Sequence, residues 1–136
     1  MFECLLLGDD LALGISKYKP ECAVVASPGI NSEQWVNNNL SSVQASKITI
    51  ISLTSYDDLG VLSRRNLYEI RERIKVGKVF WIMPLSTSST LNLKAMLEVV
   101  ASEYKDSIIS VAPKERSKDN KHPTEEGYQN IARKIK

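Results

Sequence analysis

The chain holds one histidine, His122, in the run Asp119-Asn120-Lys121-His122-Pro123. An aspartate three residues ahead of a histidine in a tight loop can accept the Nδ1 proton and hold Nε2 toward a cleft, the orienting arrangement of a hydrolytic triad. Read blandly, the same run is a surface histidine near a helix start with a capping neighbour. Carboxylates gather at two other places, Asp9-Asp10 and Asp57-Asp58. Acidic pairs at neighbouring strand ends suit Mg²⁺ or Ca²⁺ and would permit phosphoryl transfer, but no Gly-rich phosphate loop accompanies them. Neither a metal nor a cofactor is expected.

These residues sit between elements that the apolar pattern defines. Residues 2–7 read as a strand ended by Gly8, and Leu11-Ala12-Leu13-Gly14-Ile15 turns directly into a helix. Residues 22–26 read as a second, buried strand closed by Ser27-Pro28-Gly29, and Asn31-Ser32-Glu33 opens a helix carrying Trp35, Val36 and Leu40. Residues 48–53 are dense in β-branched side chains and apolar nearly throughout, which belongs at a sheet centre covered on both faces. A 3.6 repeat over residues 61–76 stops at Gly77, and a strand over 78–83 ends at Pro84. Residues 86–90 read as a loop and cap before a helix from Leu91 to Val100. A short strand over 107–111 and a helix over 123–135, with Pro in its first turn, complete the chain.

Strictly alternating strands and helices with short loops predict an α/β fold: a three-layer α/β/α sandwich around a five-stranded, mostly parallel sheet in the flavodoxin-like order 2-1-3-4-5. Ligands then bind at the carboxyl edge of the strands, where the order reverses. The segments expected there are 8–11, 27–30, 54–58, 84–89 and 111–123. Trp35 and Trp81 fall where helix-to-sheet core contacts are expected, whereas Tyr56 lies on a strand-end loop in the cleft mouth.

At 136 residues, 43% hydrophobic and 25% charged, the composition is that of one domain spanning 1–136, and it excludes disorder and collagen-like repeats. No apolar run approaches the roughly 18 residues of a membrane span. Met1-Phe2-Glu3 lacks the basic start of a secretory signal, so a cytoplasmic product is expected. Cys4 and Cys22 each lie in an apolar run, without partners at zinc-ligand spacing, and read as buried, inert thiols rather than a disulfide. Residues 1–58 carry net charge −4 and residues 59–136 net +6. In the basic half, Arg64, Arg65, Arg71, Arg73 and Lys75 alternate with Glu69 and Glu72, as on a solvated helix face, so no specific nucleic-acid partner is expected.

In order along the chain stand Leu7-Gly8-Asp9-Asp10-Leu11 after the first strand, Gly29 after the second, Thr54-Ser55-Tyr56-Asp57 after the third, and Asp119-x-x-His122-Pro123 with Gly127-Tyr128 before and in the last helix. This set resembles the SGNH (GDSL-type) hydrolases over essentially the whole chain. The resemblance implies a serine nucleophile from the first block, an oxyanion-hole glycine from the second, an oxyanion asparagine from the third, and the Asp and His of the triad from the last. Gly29, Asp119 and His122 match. The serine position is Asp10, the asparagine position is Tyr56, and the glycine of that third block is Thr54.

A carboxylate at position 10 has no proton to give and would pair with His122, raising its pKa. Ordinary acyl transfer through a serine is thereby removed, and losing one oxyanion donor costs about 2.7 to 4 kcal/mol of transition-state stabilisation unless the Tyr56 hydroxyl replaces it. The expectation is an SGNH-like pseudoenzyme that binds a small acyl or carbohydrate ligand, or a protein partner, through Asp10, Gly29, Thr54, Tyr56, Asp119 and His122. The alternative is an active esterase or deacetylase in which Asp10 is itself the nucleophile, forming an aspartyl ester that a His122-activated water releases. Ser27, beside Gly29, is a less favoured stand-in nucleophile, and Ser16 lies almost two helical turns beyond Asp10. A helix N-terminus also favours a carboxylate at Asp10 with no catalytic role.

Overall fold

The computed structural model describes residues 1–85, 92–119 and 121–136. The expected loop and cap at 86–90, the helix start at Leu91, and Asn120 lie outside the described residues.

Five strands, β1 (Leu5–Gly8), β2 (Ala23–Ala26), β3 (Ile48–Ser52), β4 (Lys78–Ile82) and β5 (Ser107–Ile109), form one wholly parallel sheet in the order β2-β1-β3-β4-β5. Five helices alternate with them: α1 (Asp10–Ser16), α2 (Ser32–Asn39), α3 (Ser63–Glu72), α4 (Leu93–Tyr104) and α5 (Glu125–Lys134). The order and the α/β/α layering are those the alternation predicts.

Side chains of successive strand residues point to opposite faces, so a strand covered on both sides feeds two cores. Leu6, Ile50, Phe80, Ile82 and Ile109 pack with α1 and α5 through Leu11, Ile15 and Ile131. Leu5, Leu7, Ile51 and Trp81 pack on the other face with Trp35 of α2, Leu67 and Ile70 of α3, and Leu97 and Val100 of α4. Both tryptophans are core, with Trp35 Nε1 donating to the Val25 carbonyl and Trp81 Nε1 to Asp106.

Two expectations are corrected. The strand at 22–26 is not fully buried: β2 pairs only with β1, lies at the sheet edge, and leaves Val24 39% exposed. Cys4 and Cys22 are buried but are not free thiols; they are joined in a disulfide. The register explains it. Leu5 pairs with Ala23, so the residues just before them, Cys4 and Cys22, meet across adjacent strands, and Ala23 N–H donates to the Cys4 carbonyl at 3.0 Å. Two cysteines in separate apolar runs reveal nothing of this until the register is fixed.

The β1–β3 contact positions the site. Gly8 ends β1 at φ +148°, and a Cβ there would lie 1.9 Å from the Ser52 carbonyl oxygen. Only glycine allows β1 to run this close to β3 before the chain turns into α1. Among the described residues, no helix is long and apolar enough to cross a membrane.

Candidate active site

The chain leaves β1 through Asp9, whose side chain caps α1 by accepting from Leu11 N–H at 3.1 Å and also takes the Ser52 hydroxyl at 3.3 Å. Asp9 is fully buried and its Oδ2 has no partner. Burial pushes its carboxyl up to about 7, and the negative charge of Asp10 adds to the rise against the opposing Leu11 and Ser52 hydrogen bonds. Asp9 therefore serves the fold, and turns the next residue, Asp10, outward at the first position of α1.

Asp10 is the meeting point of the carboxyl edge. Gly29 N–H donates to its Oδ1 at 2.7 Å, the Tyr56 hydroxyl donates to Oδ2 at 2.5 Å, and His122 Nε2 lies 3.2 Å from Oδ2. His122 Nδ1 faces Asp119 Oδ2 at 3.4 Å. Asp119 is in turn held through its other oxygen by the Ser117 hydroxyl and by Lys121 N–H at 2.9 Å. The loop is closed on itself by Ser117 N–H donating to the His122 carbonyl at 2.8 Å. Carboxylate, imidazole and carboxylate thus lie in line, with about a third of the His122 side chain open to solvent.

Electrostatics follow the geometry. Burial alone would raise the Asp10 pKa, but hydrogen bonds from Tyr56, Gly29 and His122 outweigh it and hold the carboxyl below its usual range. Partial burial works against charge on His122, yet hydrogen bonds to Asp10 and Asp119 and their negative charges raise its pKa. The Ser117 and Lys121 hydrogen bonds, with His122 beyond them, keep Asp119 far down. Tyr56 is pushed up chiefly by its bond to Asp10, and so stays a protonated donor. Both carboxylates thus favour the charged form of His122, and His122 in turn favours theirs.

An oxyanion hole works by presenting unengaged donors at about 2.7–3.1 Å from the position of the developing charge. Here Gly29 N–H and Tyr56 O–H are both engaged by Asp10. Gly29 itself sits at φ +70° with open space above it. Thr54 takes φ +86° and is buried, so it keeps a left-handed backbone that a β-branched residue adopts only under strain. Its contribution is conformational: its carbonyl accepts from Asp57 N–H at 3.1 Å and shapes the turn that presents Tyr56.

The other acids do not converge. Asp57 is buried and accepts from Ser32 N–H at 2.8 Å, the Ser32 hydroxyl at 2.7 Å and the Ser63 hydroxyl at 2.5 Å, while Asp58 caps its own turn through Gly60 N–H. Among the described residues no group of three or more potential ligands is placed to hold a metal ion. The Ser16 hydroxyl donates back to the Leu13 carbonyl within α1. Among the described residues, the ring nitrogens of His122 meet Asp10 and Asp119. Sequence reasoning missed Ser117, whose only signal was its place two residues before Asp119, and the Asp57 network, whose donors lie on distant elements.

The fold is an α/β/α sandwich whose carboxyl edge gathers Asp10, Gly29, Tyr56, Asp119 and His122, an architecture like that of SGNH hydrolases. Solved structures bear out the fold. A protein from Bacteroides fragilis assigned as an acylhydrolase superposes with TM-score 0.68 at 16% identity, over 96% of this chain and 82% of its own. The C-terminal catalytic domain of the Streptococcus pneumoniae peptidoglycan O-acetyltransferase A, carrying a methylsulfonyl adduct, gives TM-score 0.60 at 15% identity, over 98% and 95%. An acetyl xylan esterase from Butyrivibrio proteoclasticus gives 0.51 at 12%, over 96% of this chain and 61% of its own. No protein-family model matches the sequence, and no curated protein matches it.

Proposed function

We propose that residues 1–136 act as one SGNH-hydrolase-like domain that no longer performs serine acyl transfer and uses the Asp10–Tyr56–His122 mouth to bind a small acyl or carbohydrate ligand or a protein partner. One observation carries the reading: the Asp10 carboxylate accepts from Gly29 N–H and the Tyr56 hydroxyl while pairing with His122. The base is paired with a carboxylate that favours its protonated form, and the would-be oxyanion donors are engaged by that same carboxylate, so a substrate carbonyl finds neither free. The exchange is coordinated, since the tyrosine hydroxyl at position 56 reaches the carboxylate at position 10.

The test is an assay of wild type, Asp10→Ser and Asp10→Ser/Tyr56→Asn on p-nitrophenyl acetate. A silent wild type beside turnover in either variant is expected. Wild-type turnover that disappears in His122→Ala overturns the reading.

A second reading is favoured by the Gly29 contact alone. If Asp10 attacks the alkyl carbon of an ester, the substrate carboxylate leaves and Asp10 becomes an alkyl ester. Its charge no longer holds His122 protonated, and water activated by His122 then adds at Asp10 Cγ with the oxyanion on Oδ1, beside Gly29 N–H. Expulsion of the alcohol restores the carboxylate. This route leaves oxygen-18 from labelled water in the Asp10 side chain, and an unlabelled Asp10 after turnover removes it.

The compartment belongs to the same proposal. The Cys4–Cys22 disulfide supports an oxidising environment over the cytoplasmic expectation.

A further inference from the structure

The opposite, amino edge of the sheet carries a second feature that the carboxyl-edge site does not use. Two adjoining hollows of about 460 and 510 Å³ meet where the end of α5 crosses the starts of β4 and β5, sharing Lys134 and Lys136. Lys78 and Lys105 line the first and Arg133 the second. None of these five makes an ion pair among the described residues, although Lys78 Nζ donates to the Lys136 carbonyl at 3.3 Å and Arg133 Nη1 to the Asn130 side-chain oxygen at 2.5 Å.

Of the acids facing the hollows, Asp106 is neutralised by Arg71, whereas Glu115 is hydrogen-bonded by neutral groups and keeps its charge near Lys134. Asp106 takes Arg71 Nε at 2.7 Å and Nη2 at 3.0 Å, together with Trp81 Nε1 at 2.9 Å. Glu115, only 7% exposed, takes the Asn130 amide and Ala112 N–H. The five cations outnumber the one charge left on Glu115, and an excess of cations around a concave surface focuses a positive potential into it. The lining aromatics offer no stacking face: Phe80 is buried, and the Tyr104 ring is covered by the Arg71 guanidinium at 4.4 Å. Four of the five cations are lysines, point charges without the planar fork that selects carboxylates.

The geometry points to this amino-edge strip as a binding site for a linear polyphosphate chain, read through its charge alone and independent of the Asp10 mouth. The two hollows adjoin through Lys134 and Lys136, so an extended anionic chain can lie across both, where a single anion would occupy only one.

The experiment titrates the full chain with linear polyphosphate, and in parallel with oligothymidylate of matched charge, following backbone amides by NMR. Polyphosphate should shift amides around Lys78, Lys105 and residues 133–136, leaving His122 and Gly29 unmoved. Lys105→Gln and Lys136→Gln, both at exposed positions, should each weaken binding about fivefold, the effect of one near charge pair in high dielectric. Added salt should weaken it further. Absence of binding at low salt, shifts that instead follow Arg64 and Arg65, or unchanged affinity in both variants overturns the assignment. So does tighter binding of oligothymidylate, which would mean that bases are read.

Discussion

At position 10, one carboxylate anchors the carboxyl edge by engaging Gly29, Tyr56 and His122 together. The Asp10–His122 pair makes a prediction with a definite sign. His122 has a folded-state pKa raised above 6.5, so its contribution to stability is fully present below 6.5 and is lost as pH rises through the raised value. Asp10 and Asp119 are depressed below 3.8, so theirs is present above 3.8 and is lost as pH falls through the depressed values. The array is therefore worth most between those limits. His122 is the sole histidine, which makes its NMR titration unambiguous. Wild type should titrate above 6.5 and Asp10→Asn lower than wild type; an unchanged value in Asp10→Asn would show that Asp10 does not hold the imidazolium. This much of the site was legible in sequence because Asp119, His122 and Asp10 occupy a spaced pattern with a chemical reason. Ser117, which braces Asp119, was not, because any polar residue in that loop reads the same until the loop is folded.

Elements were legible where burial follows from composition and illegible where it follows from neighbours. The run at 48–53 is apolar nearly throughout and lies at the sheet centre as β3, with Ile50 and Ile51 feeding opposite cores. The run at 22–26 is equally apolar, yet β2 has a partner on one side only. Side-chain networks between elements are hidden for the same reason. Asp57 reads in sequence as a candidate metal ligand, but it joins the N-terminus of α2 to that of α3 through Ser32 and Ser63, with Asn66 donating to Ser32 at 3.0 Å. Asp57→Ala leaves those buried donors unpaired, each worth about 1–3 kcal/mol. Partial rescue by water lowers the total, so the expected loss is about 3 kcal/mol in urea unfolding. Asp58→Ala, at an exposed turn, should cost less than about 0.5 kcal/mol. Equal effects of the two substitutions would remove the network from the account of how α2 and α3 are held together.

For the molecule as a whole, sheet order and the cross-link act on the same segment. The order β2-β1-β3 places the reversal of winding at β1, so the loops after β1, β2 and β3 converge there and bring Asp10, Gly29 and Tyr56 within hydrogen-bond reach. The disulfide closes the stretch that contains β1, α1 and Asp10, with a sequence separation of 18. A closed loop of about that length removes roughly 3 kcal/mol of chain entropy from the unfolded state. The native register needs no help from it, since the β1–β2 and β1–β3 pairings and both cores hold β1 independently. Reduction, or Cys4→Ala/Cys22→Ala, should therefore lower the urea midpoint by an amount equivalent to about 3 kcal/mol. The His122 titration should stay where it was. Unchanged stability after a thiol assay has confirmed full reduction would show that the cross-link contributes nothing to the fold. A shifted His122 titration would show instead that the disulfide, and not the strand register, sets the position of Asp10.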